Sequence, residues 1–356
     1  MSILNLVRSE LLDIPVYISS PEQDALRLHA NELPWSAVNV DAINLNHYPE
    51  TELKNQVQKQ LAKRYQISSD QITITRGSDD GIDLIMRLFL KPLQDAFMQF
   101  PPTFFMYAFY ARLQQAQIIQ CPLDAIDNFS ISLERIKSCW QEQCKLIMLC
   151  NPNNPTASLI DLQLITSLCE YYKNRSVIVV DEAYMEFANA ESAISLLSQY
   201  DNLIVLRTLS KAYGLAGLRL GAVIAQPQII QTINKIMAPY PLSSVVMHLA
   251  LQALANEDWF TVAIEKIKAE RVKLLSRLVQ NPLIEKIYPS EANFILIKTA
   301  YANEIATWFS KQGISIRSFL AKSSLQNHLR ITVGDEQQNL LMMTALSSFQ
   351  NSICGS

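Results

Sequence analysis

Glycine is scarce in this chain, with 8 among 356 residues where average usage is about 7%. It serves where backbone turns sharply or approaches a ligand closely, so the few present mark candidate sites. Neither G-x-G-x-x-G nor a loop ending G-K-[ST] occurs, which excludes the two commonest glycine-rich nucleotide loops. The 6 cysteines include no C-x-x-C pair and lie beside no histidine cluster. That leaves no zinc-ribbon or redox motif and no expected metal, and favours free buried thiols in a reducing cytoplasm. No apolar run reaches the ~18 residues that span a bilayer. Residues Met1 to Leu12 lack the apolar core of a signal peptide, so a cytoplasmic protein is expected. Net charge is −3 and pI about 5.9, which gives no reason to expect nucleic acid or an anionic membrane as partner.

What is present fits a globular protein with a sizeable core, at 49% hydrophobic and 18% charged residues. The length suits one large and one small domain. Residues 1–27, broken by Pro15 and Pro21, read as an arm. A polar amphipathic helix is expected over Glu52 to Tyr65 and another helix over Asp80 to Leu90. Between 72 and 225, short β-rich runs alternate with helical patterns. They are Ile72–Thr75, Ala96–Phe100, Gln117–Cys121, Lys145–Cys150, Val177–Val180, Leu203–Leu206 and Leu218–Ala225. Such alternation predicts an α/β fold with a doubly wound, mostly parallel sheet. Ligands bind such sheets just beyond the strand ends. From about Pro241 the pattern changes to long helices (Ser244–Leu254, Trp259–Leu278), then Asn293–Ile297, a helix near Asn303–Gln312, Ile314–Arg317 and His328–Val333. A smaller α+β domain is expected there. The division is an arm of residues 1–27, a large domain of 28–240 and a small one of 241–356.

Five of the eight glycines are Gly77, Gly81, Gly214, Gly217 and Gly221. They concentrate on two short loops. In the second, Lys211 stands among small and apolar neighbours, where desolvation favours the neutral, nucleophilic amine. Ser210 and Arg219 bracket it with residue types that hold a phosphate. A reactive amine beside a phosphate clamp suggests a phosphorylated aldehyde held as a Schiff base. Gly77-Ser78-Asp79-Asp80-Gly81 joins a strand to a helix, where backbone N–H groups bind anions well; simple helix capping is the other reading of its aspartates. Asp181 ends an apolar strand, either as a helix cap or as partner to a pyridinium nitrogen. Tyr184 follows three residues later. Asn151-Pro152-Asn153-Asn154-Pro155-Thr156 is a proline-locked loop offering side-chain amides at another strand end. Arg330 sits in an apolar strand and needs an anion, whether an internal carboxylate or a substrate's. Tyr107 offers a ring that could stack on a flat ligand or simply pack.

In order along the chain, these pieces resemble the fold-type I pyridoxal-phosphate aminotransferases, and within them the histidinol-phosphate aminotransferases. The resemblance covers nearly the whole chain. Its motifs are Leu28 to Glu32, Leu45 to Glu50, Pro101-Pro102-Thr103, Asn151 to Thr156, Asp181 to Tyr184, Leu206 to Gly221, Ala238 to Ser243 and Leu329 to Gly334. It implies a large domain with a seven-stranded, mostly parallel sheet and a homodimer with shared sites. It implies ping-pong transamination between histidinol phosphate and 2-oxoglutarate, in histidine biosynthesis, with pyridoxal 5′-phosphate as cofactor. Lys211 would carry the cofactor and shuttle the proton, and Asp181 would pair with the ring nitrogen. Asn154 and Tyr184 would hold the ring's 3′ oxygen, with Tyr107 stacked on the ring. The cofactor phosphate falls to Ser210, Arg219, the backbone of Ser78 and Asp79, and Tyr48 of the neighbouring subunit. Substrate contacts fall to Arg330 for the glutamate carboxylate, Arg317 and Tyr17 for the substrate phosphate, and Asn31.

Three positions depart from the family pattern. Ala157 stands where a glycine usually ends the Asn-Pro motif, so an altered local backbone is expected. Phe104 and Phe105 replace the more usual tyrosine and small residue. Residues 318–327 match nothing. Two other readings of the same fold are an aromatic amino-acid aminotransferase and a phosphothreonine-type decarboxylase. A third, a ligand-sensing regulator, usually carries an appended DNA-binding domain, for which the arm is too short and lacks a basic stripe.

Overall fold

The computed structural model describes residues 26–28, 31, 35, 49, 51–319 and 323–354. Among these, the strands in chain order are β1 (Leu26–Arg27), β2 (Ile72–Thr75), β3 (Ala96–Gln99), β4 (Gln117–Gln120), β5 (Cys144–Cys150), β6 (Val177–Asp181), β7 (Leu203–Thr208) and β8 (Gly221–Ala225). They continue with β9 (Lys286–Ile287), β10 (Phe294–Lys298), β11 (Ile314–Ser315), β12 (Arg317–Ser318) and β13 (His328–Thr332). The helices are α1 (Thr51–Tyr65), α2 (Gly77–Phe89), α3 (Met106–Leu113), α4 (Leu133–Cys139), α5 (Leu162–Tyr171), α6 (Pro227–Ile236), α7 (Ser244–Leu254), α8 (Glu257–Leu278), α9 (Ala302–Lys311) and α10 (Glu336–Cys354).

Seven strands form one sheet in the order β2-β8-β7-β6-β5-β3-β4. Only β8 runs against its neighbours; the pairs from β7 across to β4 are parallel. Strands covered on both faces read as continuous apolar runs rather than alternating ones. β7 and β8 are buried at every residue. Successive side chains point to opposite faces. Ile147, Leu149, Val180 and Val205 therefore join one core cluster, while Leu146, Met148, Val179 and Ile204 join another on the far face. Helix α2 closes that far face with Ile82, Ile85 and Met86.

A second sheet is antiparallel and ordered β12-β13-β10-β9. The expected single run Ile314–Arg317 is instead two short strands in different sheets. β11 pairs in parallel with β1, and β12 pairs with β13. The chain near residue 28 is thus tied to C-terminal strands. Leu28 N–H donates to the Ser315 carbonyl at 3.0 Å, and Thr332 N–H donates to the Leu28 carbonyl at 3.1 Å. In the stretch 318–327, Leu325 packs with Phe129, Tyr288 and Leu296. Residues 320–322 lie outside the described residues.

Candidate active site

The polar residues singled out by their positions converge where β5, β6 and β7 end and β8 begins. Gly77 and Gly221 bring two of these elements into contact. A Cβ on Gly221 would meet Gly77 C at 2.5 Å and Ser78 N at 2.6 Å, and one on Gly77 would meet Arg219 Nη2 at 2.7 Å. The start of α2, with its first backbone N–H groups, therefore lies directly against the β7–β8 connection. Arg219, in a left-handed turn (φ 54°), donates to Ser210 Oγ at 3.1 Å and pairs with Asp79 at 3.2 Å. Thr208 Oγ1 donates to Ser210 Oγ at 3.0 Å. A hydroxyl that accepts from both leaves its own O–H as a donor. Burial pushes the Asp79 carboxyl upward, against the pull of Arg219 and Lys211. Backbone N–H groups at a helix start, a hydroxyl and a guanidinium form a donor set that fits a phosphate.

Asp181 closes β6 and is buried. Its Oδ1 accepts the Ala183 N–H at 3.2 Å and its Oδ2 accepts the Tyr107 hydroxyl at 2.7 Å. Burial raises its carboxyl to about 6, while the Tyr107 hydrogen bond and the Ala183 N–H oppose that rise. This corrects the expected ring-stacking role of Tyr107. Its side chain is 0% exposed and belongs to the core cluster beneath the sheet, so its ring has no open face for a ligand. Phe104, half-buried, meets Tyr107 edge-on, with centroids 5.5 Å apart and planes at 85°.

Tyr184 is the centre of a second network. Its hydroxyl accepts from Asn31 Nδ2 at 3.2 Å and from Asn154 Nδ2 at 3.4 Å, and Arg330 Nη1 donates to Asn154 Oδ1. Asn31, at φ 55°, is pinned by Thr332, whose Oγ1 donates to Asn31 Oδ1 at 2.8 Å and accepts its N–H at 3.1 Å. Asn293 donates to the Asn31 carbonyl at 2.9 Å. Thr332 and Asn293 were not expected; the two-residue spacing of Thr332 from Arg330 on one strand face was a signal for the first. The Tyr184 ring lies edge-on to Phe294 at 5.1 Å, and Phe294 also sits 5.2 Å from the Arg330 guanidinium carbon.

Lys211 is half-buried, with Nζ 5.7 Å from the centre of the Tyr184 ring and near enough to Asp79 to pull on its carboxyl. Arg317 and Arg330 are directly opposite in the β12–β13 register. Opposite residues share one face, where like charges repel unless an anion lies between them. Arg317 is exposed. Tyr17 and Tyr48 lie outside the described residues.

A phosphate cradle, an amine, a buried carboxylate and a Tyr–Asn pair are the groups that a phosphorylated pyridine aldehyde requires, and the donor set fits pyridoxal phosphate. A family model for class I and II aminotransferases matches residues 25–346. The chain belongs to that family and is a pyridoxal-phosphate-dependent aminotransferase. Among its relatives, histidinol-phosphate aminotransferase 1 of Legionella pneumophila (strain Lens) is 59% identical over 355 residues, covering 100% of this chain and 98% of that protein. The histidinol-phosphate aminotransferase of Xanthomonas campestris pv. campestris is 36% identical over 356 residues, covering 98% of each. A crystal structure of the Sinorhizobium meliloti histidinol-phosphate aminotransferase in complex with pyridoxal-5′-phosphate has the same fold, with a TM-score of 0.85 at 24% identity over 98% of each chain. Among the described residues, no helix is long and apolar enough to cross a membrane.

Proposed function

We propose that this aminotransferase interconverts histidinol phosphate and 2-oxoglutarate with imidazole-acetol phosphate and glutamate, a step of histidine biosynthesis. The carrying observation is the arginine pair, with Arg317 opposite Arg330 beside the Asn154–Tyr184 network. One pocket must accept a carboxylate and a phosphate in alternate half-reactions, and guanidinium forks pair with either anion. The relatives named for that activity over their full length support the choice of substrate.

Pyridoxal phosphate supplies the electron sink that makes the substrate's Cα proton acidic. Lys211 would hold its aldehyde carbon, and its amine would take up and return the proton at the substrate's Cα. Asp181 keeps the ring nitrogen protonated. Asn154 and Tyr184 hold the 3′ oxygen, and Asn31 orients Tyr184. Ser78 and Asp79 backbone groups, Ser210 and Arg219 hold the phosphate, and Phe104 takes over the aromatic wall first expected of Tyr107. Arg330 receives the glutamate carboxylate, and Arg317 with Tyr17 receives the substrate phosphate. Tyr48 reaches the phosphate of the neighbouring subunit's site, so the chain works as a homodimer, in the cytoplasm. The domain division at residues 27 and 240 belongs to the same reading.

Borohydride reduction of the holoenzyme tests the assignment of the amine. The label should be found by peptide mass spectrometry on Lys211 alone and vanish in Lys211→Ala. A reducible adduct on another lysine would refute it.

A further inference from the structure

Tyr107 lies on α3 with its ring under the ends of β5 and β6. Its hydroxyl reaches Asp181 Oδ2 at 2.7 Å, and the edge-on contact with Phe104 fixes the ring. Cys150 stands beside Asp181 in the β5–β6 register; its thiol donates to the Pro152 carbonyl at 3.5 Å and also lies within hydrogen-bond reach of the Tyr107 hydroxyl. Two neutral donors, the Tyr107 O–H and the Ala183 N–H, thus hold one carboxylate oxygen each. This buried tyrosine has no part in the roles given above.

We propose that Tyr107 is a positioning residue for Asp181: its hydroxyl keeps that carboxylate ionised and turned to receive the cofactor's ring N–H. The proposal rests on the reading of Asp181 as partner of the pyridine nitrogen. Apart from Tyr107 and the Ala183 N–H, burial and the nearby carboxylates work against the ionised form. Burial raises its carboxyl to about 6, and Asp79 from the start of α2 and Glu182 next in the chain push the same way. Cys150 and Tyr184 face it as neutral groups, since burial pushes both upward to about 12. A carboxylate stripped of the Tyr107 hydrogen bond titrates higher still. Hydrogen bonds to charged groups are worth about one to two pH units of such a shift.

The ring N–H needs the carboxylate form, so cofactor affinity falls as pH drops through the Asp181 titration. Removing the hydroxyl raises that titration and moves the loss of affinity to higher pH. The test measures the dissociation constant of pyridoxal phosphate from pH 5 to 9 by cofactor absorbance, with thermal melts at each pH. Tyr107→Phe keeps the ring and its packing, and should move the midpoint up by about one to two units. Replacing Tyr107 with 3-fluorotyrosine, a stronger donor, should move it down even if the phenylalanine variant melts early. Tyr172→Phe removes another buried hydroxyl, one from the α5 end, and should leave the midpoint in place. Wild-type midpoints in both Tyr107 variants would overturn the proposal. Asp181→Asn separates the two levels: it should abolish the pH step and weaken binding. Wild-type affinity and pH profile in that variant would instead overturn the reading of Asp181.

Discussion

Gly221→Ala isolates the contact on which the phosphate cradle depends. The added methyl meets Gly77 C at 2.5 Å, Ser78 N at 2.6 Å and the Gly77 carbonyl oxygen at 2.9 Å. All three are backbone atoms, so no side chain can swing away. Restoring ordinary contact at about 3.4 Å requires β8 and the start of α2 to part by a little under 1 Å. Overpacking of this kind costs about 1–3 kcal/mol, and each kcal/mol lowers the melting temperature by roughly 2–4 °C in domains of 150–250 residues. On the proposed assignment, the same displacement would move the Ser78 N–H away from a cofactor phosphate shared with Ser210 and Arg219. A hydrogen bond to a charged group is worth about 1.5–3 kcal/mol, so its loss weakens cofactor binding by roughly 10- to 100-fold. Gly217→Ala is the internal control. Nothing lies within 4 Å of its Cβ position, and a glycine-to-alanine change at a compatible site stabilises by about 0.4–1 kcal/mol. Thermal melts and cofactor titration of both variants provide the comparison. Wild-type melting and binding in Gly221→Ala, or equal damage from Gly217→Ala, would refute a role for this backbone contact.

Arg317→Ala should slow the half-reaction with histidinol phosphate far more than the one with glutamate, read by single-turnover absorbance; equal losses would make Arg317 structural or shared. Arg207 is expected to anchor the Asp181–Tyr184 segment. It is buried between Glu182 and Glu186, at 3.3 Å from each, and the two carboxylates hold its guanidinium charged despite burial. Arg207→Met leaves two buried carboxylates without their cation, and should cost about 3–5 kcal/mol in chemical denaturation. A change under ~1 kcal/mol would show that the cluster relaxes without it.

The large sheet was legible because a covered strand needs an unbroken apolar run, and Val177 to Val180 or Leu203 to Leu206 have no other use for one. Element boundaries were less so. The run Leu218–Ala225 loses its first three residues to a turn in which Arg219 goes left-handed. α2 begins three residues before Asp80, at Gly77, where its backbone packs directly against Gly221. Ala157 was expected to alter the local backbone, yet it takes the left-handed conformation that glycine would supply, at φ 58°, held by its N–H to the Asn153 carbonyl at 2.7 Å. Tyr107 was misread because a sequence shows that an aromatic is present, not which face of a short helix carries it. Glu182 gave no signal either, since its partners Ser192 and Arg207 lie 10 and 25 positions away. Asn31 was placed with the substrate contacts. Its hydrogen bonds to Tyr184 and Thr332 tie the start of the chain to the C-terminal sheet, a link that only the folded chain shows.

The site should accept histidinol phosphate as its amine. A stopped-flow panel on the pyridoxal form compares histidinol phosphate, phenylalanine and phosphothreonine, following loss of the cofactor's aldehyde absorbance. Histidinol phosphate should convert the cofactor fastest, to the amine form, with an oxo product that 2-oxoglutarate reverses. Faster conversion by phenylalanine, or release of carbon dioxide from phosphothreonine, would contradict it.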